Sequence, residues 1–136
     1  MAAISVTAAN VVLVSGDRKS GIAGETITAG KSLYINTSNS DKLHLADADA
    51  LLTSVFAGIA LGGASANQPV FYAGPGCVVN MGGTVAVGTV YMVGLTAGDV
   101  LPDAEILTGD YVSIIGVGET AANLRISPIN SGIARA

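Results

Sequence analysis

The stretch Ile114-Ile115-Gly116-Val117-Gly118-Glu119-Thr120-Ala121 carries the spacing Gly-x-Gly-x-x-Ala after an apolar run. In a dinucleotide-binding unit, that spacing brings backbone amides at a helix N-terminus up to a pyrophosphate. The chemistry also requires a following helix, a second parallel strand and an acidic residue about 20 positions on. Only 18 residues follow Gly118, none beyond Glu119 is acidic, and Pro128 interrupts any long helix there. The stretch therefore predicts a plain strand–turn–strand.

The other reactive side chains are isolated. His44 is the single histidine and Cys77 the single cysteine. A nucleophilic Cys77 needs a base, and only His44 is available; a zinc site needs several Cys or His ligands. Cys77, followed by Val78-Val79, reads as a small buried hydrophobe. Asp41, Asp47 and Asp49 are too few and wrongly spaced for a calcium loop, which needs more oxygen donors and a bidentate Glu. Asp47 instead predicts a helix N-cap, with Asp49 in the first turn. Ser40-Asp41-Lys42-Leu43 reads as a hairpin tip. Lipoyl-carrier domains hold a modified lysine in an Asp-Lys-Ala turn on a small glycine-rich barrel. Here Leu43 replaces the small residue, and Asn36-Thr37-Ser38-Asn39 lengthens the loop. No cofactor, metal or catalytic set is expected.

The elements around these residues are β in character. Ile4, Val6 and Ala8 alternate with Ser5, Thr7 and Ala9, which is the period of an extended arm or of a first strand. Val11–Val14 is a short apolar run, and residues 15–21 form a polar loop bounded by glycines. A recurring unit follows, in which an apolar residue, a short step and Gly precede an alternating strand. It appears at Gly30, Gly88, Gly98 and Gly109, each predicted to sit in a turn of positive φ. One short helix is expected from Asp47 to about Val55, stopped by Gly58. Further strands are expected over Gly58–Leu61, Gln68–Ala73, Val112–Val117 and Leu124–Ile129. Turn signals roughly ten residues apart give an all-β fold, a small glycine-rich barrel or sandwich with one short helix and an extended N-terminal arm. Residues 1–14 form the arm and first strand, and residues 15–136 a single β-rich domain.

Composition excludes several functions. Half the residues are hydrophobic and only 12% are charged, against about 25% in ordinary soluble domains. That excludes a disordered chain, and one cysteine excludes a disulfide scaffold. A net charge of −4, with no basic cluster beyond Arg18-Lys19, argues against nucleic acid as a partner. Glycines interrupt every long apolar stretch, and the N-terminus lacks a basic n-region and an apolar h-region, so no membrane span or leader is expected. With no Trp and only six Phe and Tyr residues, a glycan platform is poorly supplied. So weakly charged a surface predicts association with a partner.

The order of small residues and turns resembles the capsid cement, or head decoration, proteins of tailed bacteriophages. The cadence runs through Ala23-Gly24-Glu25-Thr26-Ile27-Thr28-Ala29-Gly30, Asp47-Ala48, Ala57-Gly58-Ile59-Ala60-Leu61 and Gln68-Pro69-Val70. It continues through Gly88-Thr89-Val90-Tyr91, Asp110-Tyr111-Val112-Ser113-Ile114-Ile115-Gly116 and Ser131-Gly132-Ile133-Ala134. The resemblance implies a non-enzymatic virion protein, made in the host cytoplasm and located on the outer capsid surface. There it binds the expanded icosahedral head through the major capsid protein and bridges its subunits, often as a homotrimer. Another phage head or tail component is the neighbouring reading, and a lipoyl-type carrier the alternative from a different class. The arm, through Ile4, Val6, Ala8 and Val11, is the candidate capsid-binding element: it is long enough to add a strand to a capsid sheet edge. One reading has the arm ordering only on the capsid; the other has it as an ordinary first strand.

Overall fold

The computed structural model describes residues 3–136. Eleven strands form: β1 Val11–Ser15, β2 Arg18–Ile22, β3 Ser32–Asn36, β4 Lys42–Leu45, β5 Gly58–Ala60, β6 Pro69–Ala73, β7 Val78–Met81, β8 Val90–Val93, β9 Val100–Pro102, β10 Tyr111–Gly118 and β11 Asn123–Ala134. They assemble into a six-stranded sheet, β1-β7-β11-β10-β8-β9, and a five-stranded sheet, β2-β6-β5-β3-β4. All pairings are antiparallel. The fold is an all-β sandwich, and neither sheet closes into a barrel.

Strand alternation divides the interior. From the five-stranded sheet, Tyr34, Ile59 and Ala73 face the other sheet, where they meet Val79, Met81, Tyr91, Val93, Ile115, Leu124 and Ile126. The alternate residues Leu33, Ala60, Val70 and Tyr72 turn the other way, into a second cluster with Ala23, Ile27 and Leu43. The five-stranded sheet therefore buries both faces. Bridges between Ala23 and Leu43 and between Ile27 and Ala64 hold the loops that roof its far side.

The recurring glycines serve as predicted: Gly30, Gly88, Gly98 and Gly109 have φ of +86°, +77°, +86° and +93°. Gly116 and Gly118 lie within β10, where they permit close approach of neighbouring backbone. A Cβ on Gly116 would strike the carbonyl oxygen of Arg125, and one on Gly118 that of Ala86. The stretch Ile114–Ala122 is thus strand and turn leading into β11, as expected. Pro128 sits in β11 beyond Arg125, the last residue paired with β7, so its missing N–H costs that ladder nothing.

Two expectations are corrected. Residues 47–55 form turns, with no α-helix. Asp47 Oδ1 does accept from the Asp49 amide at 3.0 Å. However, the Asp47 amide donates to Thr53 O, and Ala48 exchanges bonds with Gly94 and Tyr111. Tertiary pairing of the backbone outweighs local helix preference. The polar segment 15–21 is also not all loop, since Arg18–Ile22 pairs along its whole length with β6. Ladder hydrogen bonds need no apolar side chains, and Arg and Lys suit a sheet edge. Strands β4 and β7 were not individually foreseen.

Gly116→Ala is expected to lower unfolding stability by about 1–3 kcal/mol, because backbone must move to admit the methyl group. Gly62→Ala, where a Cβ meets nothing within 4 Å, is the matched control and is expected to be near neutral. Urea denaturation of both variants measures the contrast.

Candidate functional site

His44, Cys77, Lys42 and Asp47, singled out by the sequence, each have a structural partner. His44 on β4 bonds through Nδ1 to Glu25 Oε2 at 3.1 Å and through Nε2 to Asn39 Nδ2 at 2.9 Å. An Asn amide nitrogen can only donate, so Nε2 accepts and Nδ1 carries the proton given to Glu25. Glu25 Oε2 also accepts from the Leu45 amide at 3.1 Å. The arrangement ties the β3–β4 hairpin to residues 23–25, with Asn39 occupying the position a nucleophile would need. Tyr34, whose ring centroid lies 5.8 Å from that of His44, has its phenol pushed above the usual range by burial and by the Glu25 carboxylate.

Cys77 is buried, and its Sγ lies 3.4 Å from Asp17 O. It belongs to the β1–β2 corner, whereas His44 lies on β4, across the five-stranded sheet from β2. Lys42 opens β4, and its Nζ donates to Asn67 Oδ1 at 2.7 Å. The left-handed residues of that hairpin are Ser40 and Asp41, so the lysine stands beside the tip, tethered. Asp47 has its carboxyl raised above the usual range, first by burial and then by the charges of Asp49 and Asp110; the bond from the Asp49 amide works against this. Among the described residues, no group of three or more His, Cys, Asp or Glu side chains could hold a metal ion. No helix among them is long and apolar enough to cross a membrane.

The predicted capsid-binding residues are mostly turned inward. Residues 3–7 follow the domain rim without strand structure, held by Ile4 N to Val100 O at 3.0 Å and Thr7 N to Gly82 O at 2.8 Å. Ile4 and Val6 pack on the inter-sheet core, and Val11 is buried within it. Ala8 alone is exposed, in the 3-10 turn Ala8–Asn10. Residues 3–10 are neither a free tail nor a sheet strand, whereas Val11 opens β1. Residues 1 and 2, the rest of the predicted arm, lie outside the described residues.

What the sequence did not single out is the outer face of the six-stranded sheet. Register places Leu101 opposite Met92, Met92 opposite Ile114, and Ile114 opposite Ile129. Directly opposed residues share a face, so an apolar row crosses β9, β8, β10 and β11. The segment between β9 and β10 folds over one half of the row and buries Ile106 against Met92 and Leu101. Arg135 pins it, its Nη1 donating to Ile106 O at 2.7 Å, while Gly109 and Asp110 pair with the Arg135 backbone. The half over β11 is open: Ile129 is 60% exposed and Ile133 68%. Beside the cover lies a concavity of about 500 Å³ lined by Val90, Met92, Ile106, Val112 and Ile114 together with Ala104 and the charged Asp103 and Arg135. The sequence signal was available: Val112 and Ile114 alternate with Ser113 and Ile115, so β10 is apolar on both faces.

No protein-family model matches the chain, and the search of curated proteins finds no match.

An aspartate carboxyl held above its ordinary range favours the protonated folded protein, so ionisation of Asp47 costs stability as pH rises through that raised range. The cost is absent below the ordinary carboxylate pKa of about 4. Asp47→Asn keeps an acceptor for the Asp49 amide and removes the charge. The variant is expected to be at least as stable as the parent near neutral pH, with the difference vanishing at strongly acid pH. Urea midpoints at both pH values check the sign. His44→Ala, which leaves Glu25 and Asn39 without their partner, is expected to cost about 1–2 kcal/mol in the same assay.

Proposed function

We propose that the protein is a structural virion component, a decoration protein of a phage head. It binds the outer surface of the expanded shell and stabilises it by bridging major capsid protein subunits, without catalysis or cofactor. The observation that carries this reading is the exposed end of the apolar row at Ile129, with the exposed Ile133 on the same strand. Exposed aliphatic groups fixed on a strand lose little freedom when covered, and burying them supplies association energy without any reactive group. Low charge points the same way, as does a cadence of turns that resembles that of head decoration proteins. A homotrimer fits this role, because three weak contacts engaged together hold far more firmly than one.

Cosedimentation with expanded and unexpanded heads is the deciding measurement: binding to the expanded form alone is expected. Ile129→Asp/Ile133→Asp should keep the parent's circular dichroism spectrum and lose head binding by about tenfold or more, since two exposed apolar anchors are replaced by charge. Equal binding by the variant would remove this face from the reading, and no binding by the parent would remove the reading itself. Light scattering of the free protein tests the trimer.

A further inference from the structure

The two sheets present four edges, and three are protected. On β9, Val100 O accepts from Ile4 N and the strand ends at Pro102. On β4, Leu43 O accepts from Gly24 N. Strand β2 carries Arg18 and Lys19, the charged residues that discourage edge pairing. Strand β1, Val-Val-Leu-Val-Ser, has neither charge nor proline, and among the described residues no strand pairs with its outer side.

Its free side can be read from the ladder. Met81 N donates to Ala122 O, toward β11, so the next residue, Asn80, faces β1 and pairs with Val12. Alternation then leaves the N–H and C=O of Leu13 pointing outward. Beside this edge the sandwich mouth opens into a groove of about 330 Å³ lined by Leu13, Leu61, Phe71 and Arg18 among others. Val12 and Val14 stand exposed on the other face.

The charge at this mouth is distinctive. Lys31 pairs with Asp99, Arg125 with Glu119, Lys42 with Asn67, and Arg135 with Ile106 O. Among the described residues, Arg18 and Lys19 are the cations that no oxygen partner engages, in a chain of net charge −4; of the two, Arg18 lines the groove, whereas Lys19, the next residue of β2, points to the opposite face beside Gly74. The Arg18 guanidinium is held 4.1 Å over the Phe71 ring, which orients it at the groove rim.

We propose that the β1 edge is a docking seat for an extended acidic segment of a partner protein. The segment adds as a strand to β1 through Leu13, seats an aliphatic side chain in the groove, and sets a carboxylate against Arg18. A second copy of this chain pairing edge to edge would bring like charges together, which disfavours it. The proposal is independent of the shell reading, because it uses a different face and needs no capsid.

The test uses the whole protein with two capped peptides, Asp-Val-Thr-Val-Thr-Val-Asp and the same sequence with Lys at both ends. In amide-resolved NMR, the acidic peptide is expected to shift the Leu13 amide and slow its hydrogen exchange, and the basic peptide to do neither. Arg18→Glu, at an exposed position and so tolerant of change, should weaken the acidic peptide by about tenfold or more and let the basic one bind. Failure of both peptides at millimolar concentration would overturn the proposal. So would equal binding of the two, an unchanged preference in the variant, or shifts confined to residues away from β1.

Discussion

The five-stranded sheet is the middle layer of this molecule, and the burial of its central strands on both faces is the constraint from which the rest follows. Leu33, Ala60, Val70 and Tyr72 fill one side, and Tyr34, Ile59 and Ala73 the other. A layer so enclosed has no place for an unpaired polar group. The strands must be short, the links between them tight, and the loops folded back as roofs. Glycine at the turns, small residues in the links and a scarcity of charge are consequences of that demand. Half the chain being hydrophobic reflects two interiors inside one small domain.

The same constraint displaces function to the periphery. His44, Glu25 and Asn39 are consumed in fastening one hairpin, Cys77 in closing a corner, and Asp47 in shaping a loop. What remains for a partner is geometry: an apolar row on the outside of the larger sheet, half covered by the segment before β10, and one unprotected strand edge. The covered and open halves of that row share a common backbone. In the proposed role, a partner seated on Ile129 would push on strands that run into the inter-sheet core, so that the sandwich would carry the load as a unit.

Most of the architecture was legible in the residues. Positive φ at Gly30, Gly88, Gly98 and Gly109, the buried strand at Gly58–Ala60, and the strand–turn–strand at Gly116 all follow from local rules about turns and alternation. The failures share one cause. Asp47 to Val55 has a helix's opening residues, yet Ala48 is claimed by Gly94 and Tyr111 from distant parts of the chain. Arg18 to Ile22 looks like solvent-facing loop, yet β6 offers a ladder that takes no account of side chains. The inward turn of Ile4 and Val6 was equally invisible, because the gaps they fill are made by Gly30 and Gly83, far along the sequence. The apolar row was hidden for a related reason: only strand register brings Leu101 and Ile129 into one line.

Cys77 closes the corner where β1 passes to β2, its sulfur lying within reach of where a methyl group on Gly16 would stand. A thiol so shielded reacts with an alkylating reagent only while that corner is open. The molecule thus contains its own stopwatch: the pace of labelling at this single sulfur clocks how often the junction between the two layers breathes, with no need to graft on a foreign dye.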